Sequence, residues 1–110
     1  MADDSVGGTT ANPARGEAGL RIGGVELVVR PSFAALVAAE QELGSLFALV
    51  ERAAEGRLAL AELVALLWHC LAERPEGLTR AGFAEGVTAA GLAQTTPVLR
   101  TLLAQILGGR

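Results

Sequence analysis

Between Ala59 and Glu73 the sequence can form only one kind of helix. At about 100° per residue, Leu60, Leu63, Val64, Leu66, Leu67, Trp68, Cys70 and Leu71 cover an arc of roughly 200°. A surface helix needs an apolar stripe of only about 100°. Such a helix must lie centrally in the fold or dock something beyond it. Pro75-Glu76-Gly77 breaks it. The chain has 110 residues, room for one small domain. Hydrophobic residues make up 51% of it, a high figure for a chain with so much surface relative to volume. Some of that apolar surface is therefore expected to face a partner.

Ahead of this helix comes a hairpin signal. Leu20-Arg21-Ile22 and Val25-Glu26-Leu27 flank Gly23-Gly24, which supplies the positive φ angles of a two-residue turn. That turn pairs Ile22 with Val25 and Leu20 with Leu27 on one face, and sets Arg21 opposite Glu26 on the other. The second strand is expected to run to Val29 or Arg30, where Pro31 stops it. Residues 1–16 contain Gly7-Gly8-Thr9-Thr10 and few large apolar side chains, and read as a disordered lead. The remaining residues, 17–110, read as a single hairpin-plus-helices domain.

Ser32 can cap a first helix from Phe33, ended by Gly44. Ser45 can cap a second that carries Leu46, Leu49, Val50 and Ala53 and stops at Gly56. Thr79 can cap a fourth helix to about Ala90, weakened by Gly82 and Gly86 at roughly 1 kcal/mol each. Their Gly-x-x-x-Gly spacing also suits close packing. Thr96 before Pro97 reads as the start of a last helix, with proline in its first position. The fold class is mainly α with an N-terminal β-hairpin (α+β), a small bundle of about five short helices.

Charge and composition exclude several functions. Twelve acids stand against nine bases, all arginine and scattered singly, unlike the clustered basic face that nucleic acid requires. No apolar stretch approaches the roughly 20 residues of a membrane span. The acidic N-terminus has no secretory apolar region, and the expectation is a soluble cytoplasmic protein. Cys70, the single cysteine, can form no internal disulfide. His69 and Cys70 are neighbours in sequence but point about 100° apart on a helix, Cys70 into the apolar arc and His69 away from it. They cannot act as a nucleophile pair, and no cluster of three metal ligands accompanies them. Without lysine or tyrosine, and with no carboxylate placed near His69 by spacing, little remains for acid–base chemistry. No catalytic residue, cofactor or metal is expected.

Candidate partner-binding residues are Trp68, Leu67, Leu71, Glu40, Leu103 and Leu107. Trp68 lies at the edge of the wide arc, where it either packs in the core or anchors a partner. Glu40 falls at about 340° on the first helix, between Leu36 at about 300° and Val37 at about 40°. A carboxylate amid that apolar face needs company. It can accept hydrogen bonds from the helix after Gly44, pair with Arg30 or Arg52, or mark a partner surface.

The order of features from Gly16 to Leu71 carries a resemblance. A strand-Gly-strand opening leads through an arginine into Phe33-Ala-Ala-Leu-Val-Ala-Ala-Glu-Gln-Glu-Leu-Gly44-Ser-Leu, then Glu55-Gly56-Arg57 and Leu63-Val-Ala-Leu-Leu. This resembles the gene transfer agent family proteins of alphaproteobacteria, encoded in phage-derived tail gene clusters. Those are similar to phage tail assembly chaperones and are sometimes labelled tail tube proteins. Leu36, Glu40, Leu43, Gly44, Gly56 and Leu63 carry the likeness. The resemblance implies a non-enzymatic protein-interaction module, a chaperone that holds the tape measure protein while tube subunits polymerise round it. Its partners would be the tape measure protein, the tail tube protein or both, in the bacterial cytoplasm or with the particle. Two other readings stay open: a structural, tube-associated component of the finished tail, and a small homodimeric adaptor joined through its third and fifth helices.

Overall fold

The computed structural model describes residues 11–12 and 16–108, so most of the lead lies outside the described residues. Strand β1 (Ala18–Ile22) pairs antiparallel with β2 (Val25–Val29) in the register read from the sequence, Ile22 with Val25, Leu20 with Leu27 and Arg21 with Glu26. Gly23 and Gly24 hold φ of 57° and 82°, as the two-residue turn requires. Arg21 and Glu26 form an ion pair at 2.9 Å on the outer face. Leu20, Ile22 and Leu27 turn inward, while Val25, at the turn, remains exposed.

Five helices follow. Ser32 Oγ accepts from Ala35 N at the start of α1 (Phe33–Leu43), and Ser45 Oγ accepts from Ala48 N at the start of α2 (Leu46–Ala54), which turns 80° from α1 after Gly44. Helix α3 (Leu60–Cys70) opens where the Glu62 carboxylate accepts from Ala59 N at 3.0 Å. Thr79 caps α4 (Arg80–Ala90).

Helix α3 is shorter than its hydrophobic run. Leu71 leaves the helix in an extended conformation and bridges to Val29. Arg30 N donates to Cys70 O at 2.6 Å, and Ala72 N donates to Val28 O at 2.8 Å. Pairing with the hairpin edge thus takes over from the helix three residues before the expected end at Glu73.

The start of α5 (Leu92–Gly108) also differs from expectation, since Pro97 lies inside the helix instead of opening it. Gly91, at φ 91°, ends α4, and α5 begins at the next residue. Pro97 leaves the Ala93 carbonyl without its helical donor. Ala93 is at the surface, where water can satisfy that group. The hydroxyls of Thr95 and Thr96 both donate to Leu92 O, at 3.1 and 2.7 Å. Burial of Thr95, Val98 and Leu102 keeps the helix on the core in spite of the proline.

The core is built round α3. Leu63, Val64, Ala65, Leu66, Leu67 and Cys70 are all buried. Leu20, Leu27 and Val29 of the hairpin, Ala39 of α1, Leu49 of α2, Phe83 and Val87 of α4, and Val98 and Leu102 of α5 complete the same cluster. Two polar devices hold the outside. Glu17, only 3% exposed, takes Arg30 Nε at 2.5 Å and Asn12 N at 2.8 Å, tying the start of the domain to the exit of β2. Glu42 of α1 accepts from Arg80 of α4 at 2.9 and 2.5 Å and meets His69 Nε2 of α3 at 2.7 Å. The Arg80 hydrogen bonds, then His69, hold the Glu42 carboxyl down at about 2.

Gly86 brings α4 close against the hairpin at Ile22. A Cβ there would lie 2.3 Å from Ile22 Cγ2. Gly86→Ala should therefore destabilise the fold by about 1–3 kcal/mol, overpacking outweighing the roughly 1 kcal/mol that alanine offers a helix. Urea denaturation will show this as a lower midpoint. A second expectation concerns acid. Because the folded-state Glu42 carboxyl is depressed to about 2, its stabilisation is present above the ordinary value of 4.5 and is lost as pH falls toward 2. Glu42→Gln should lower the melting temperature at pH 7, and the gap to the parent protein should close by pH 2 in a calorimetric pH series.

Candidate docking seam

Six large hydrophobic residues are exposed among the described residues: Val25, Phe33, Phe47, Leu60, Leu92 and Leu107. Five of the six line two grooves. The larger, about 380 Å³, is bounded by Phe33, Leu36, Val37 and Glu40 of α1, Leu46, Phe47 and Val50 of α2, and Ile106 and Leu107 of α5. The smaller, about 230 Å³, is bounded by Ala53, Gly56, Leu58, Leu60 and Leu63, and by Leu92, Thr95, Thr96 and Leu99 of α5.

These grooves lie along one line. On α2 their walls are Phe47 and Val50, then Ala53; on α5 they are Leu92 to Leu99, then Ile106 and Leu107. The two helices run past each other in opposite directions. Half-buried Leu103, one turn from both Leu99 and Leu107, falls between the grooves on α5. Helix α5 packs mainly on β1 and α4, and α2 mainly on α1, so the space between them is left as an apolar seam. From Leu92 to Leu107 it extends about 22 Å at 1.5 Å per residue.

The first helix explains why the seam is open. Its expected apolar face held Phe33, Leu36, Val37 and Leu43, but the buried residue is Ala39, whose small side chain sets α1 close on α3. Phe33 is left 84% exposed. Glu40 is exposed too, and one of its oxygens accepts from Leu46 N at 3.1 Å, holding the start of α2 as its spacing suggested. Arg30 and Arg52, the other partners considered for it, bind Glu17 and Glu62 instead.

Of the expected partner-binding residues, Glu40 and Leu107 come together in the larger groove, with Leu103 beside them along α5. Leu67 and Leu71 are in the core, at 0% and 7% exposure. Trp68 is half-buried, its ring 5.7 Å from that of Phe83 and covered by the Arg74 guanidinium at 4.4 Å. Phe47, 80% exposed, was missed by sequence reasoning. Its signal was present: it stands off the Leu46–Leu49–Val50–Ala53 face of its own helix, where an aromatic side chain has nothing to pack on.

Among the described residues no group of three or more His, Cys, Asp or Glu side chains could hold a metal ion, and no single helix is long and apolar enough to cross a membrane. His69 does have a carboxylate neighbour, Glu42, brought from 27 residues away, but Arg80 shares that carboxylate. Burial pushes the Cys70 thiol up to about 12.

A family model described as phage tail tube protein, GTA-gp10, matches residues 15–109. The chain belongs to that family. No curated protein and no solved structure matches it. The tail family is a structural, non-enzymatic kind, in keeping with an apolar seam as the principal surface feature.

Cys70 reports on the packing of the core. A thiol 1% exposed with its ionisation raised to about 12 should be inert in the folded protein. A thiol-reactive chromophore at neutral pH should label it only after denaturant is added, and rapid native labelling would contradict the core placement.

Proposed function

We propose that this tail-family protein is an assembly chaperone that holds the tape measure protein through the seam between α2 and α5. The observation that supports the reading is the grouping of Phe33, Phe47, Leu60, Leu92 and Leu107 along one groove line. A long tape measure protein requires cover for apolar segments before the tube encloses it. A seam about four helical turns long offers that cover to an apolar helical face. Phe47 is the strongest anchor, since an exposed aromatic side chain gains most from losing water.

The family description favours one second reading, a tube-associated component that stays in the finished tail. The two differ in where the protein ends up. A chaperone is found with the tape measure protein in lysate and is lost from purified particles; a structural component is retained at a fixed ratio to tube subunits.

Co-expression with the tape measure protein from the same tail cluster tests the proposal. The parent chain should raise the soluble fraction of the tape measure protein several-fold. Phe47→Glu, at an exposed position that leaves the core untouched, should remove the effect without lowering the chain's own melting temperature. Equal solubility with and without the chain would contradict the chaperone role.

A further inference from the structure

The two unmatched charges beside the seam identify an occupant. Seven arginines are described, and six have a partner: Arg21, Arg30, Arg52, Arg57 and Arg80 bind carboxylates, and Arg74 covers Trp68. Among the described residues only Arg100 has none. By helical geometry it stands about 20° from Leu107 round α5 and about 10 Å away along the axis, on the outer lip of the seam. Glu40, within the larger groove, accepts a single amide and has no cationic partner among the described residues. The seam therefore carries an apolar trough with an acid in it, and on its lip an apolar helical stripe with a base.

Those two surfaces are complementary, and both belong to this chain. We propose that a second copy covers the seam of the free protein in a two-fold arrangement, with the Leu103–Leu107 stripe of each α5 entering the larger groove of the other copy and Arg100 of each meeting Glu40 of the other. A two-fold interface uses the same patch twice, so one charge pair on the surface supplies two across the contact. The exposed parts of Phe33, Phe47 and Leu107 come to roughly 450 Å² a copy, or about 900 Å² for the pair, and the half-buried Leu36, Leu46, Leu103 and Ile106 beside them add to the apolar contact. The pairing does not rest on which tail protein binds the seam; any such partner has to displace the second copy.

Sedimentation equilibrium of the full chain, from micromolar to hundreds of micromolar, tests this. The expected mass is twice the 11.2 kDa of one chain. Phe47→Glu should give a monomer with an unchanged circular dichroism spectrum. Arg100→Glu and Glu40→Arg should each weaken the pair by about tenfold or more, and the double variant should recover most of that loss. A monomer at every concentration would overturn the proposal, leaving the seam to partners of other sequence. So would a dimer indifferent to Phe47→Glu, or a double variant no tighter than the singles. None of these results decides the tape measure reading, which the co-expression experiment scores separately.

Discussion

The fold depends on the burial of α3 on nearly all sides. A helix whose apolar arc covers roughly 200° cannot be satisfied by one neighbour. Here the hairpin, α1, α2, α4 and α5 each supply part of the cover. The join between the end of α3 and the edge of β2 fixes that arrangement. Val29 bridges Leu71, and the adjacent amides and carbonyls of Val28, Arg30, Cys70 and Ala72 pair across it. A short hairpin is marginal alone; this one is held because α5 and α4 pack on β1 and the edge of β2 is partly paired with the chain leaving α3.

One consequence is a division of labour among apolar residues. The central helix takes Phe83, Leu49, Leu102 and the inner hairpin residues as its cover, and α1 approaches it through Ala39. The larger apolar side chains of α1 and α2, Phe33 and Phe47, are then surplus to the core and remain in water. That is costly for the isolated molecule, which belongs to a phage tail family.

Much of this was legible in the sequence. Gly23-Gly24 between short alternating strands specified the hairpin register, and Ser32, Ser45, Thr79 and Gly44 marked helix ends, because turns and caps are decided by local chemistry. Three things were not legible, and all depend on distant neighbours. The end of α3 is set by a strand forty residues earlier in the chain, not by Pro75. The burial of Thr95, Val98 and Leu102 carries α5 through Pro97 against the proline's own preference. The inward side of α1 is chosen by how closely Ala39 lets it approach α3, which turns Phe33 out to water while Leu36 and Leu43 still pack against the core. In the same way Glu42 joins His69 and Arg80 only once α1, α3 and α4 are packed. Glu40 and Leu107, expected at a partner surface, line the larger groove, and Phe47, which stands off the core face of its helix, lines it too.

We propose that tail proteins dock in the seam between α2 and α5. A photo-crosslinking amino acid in place of Phe47, incorporated in the native host during particle production, addresses it most directly, with the exposed turn position Glu76 as the control. The account predicts covalent adducts with the tape measure protein from position 47 and none from position 76. Tape measure adducts from 76 alone, or none from either position while the protein is being made, would contradict it.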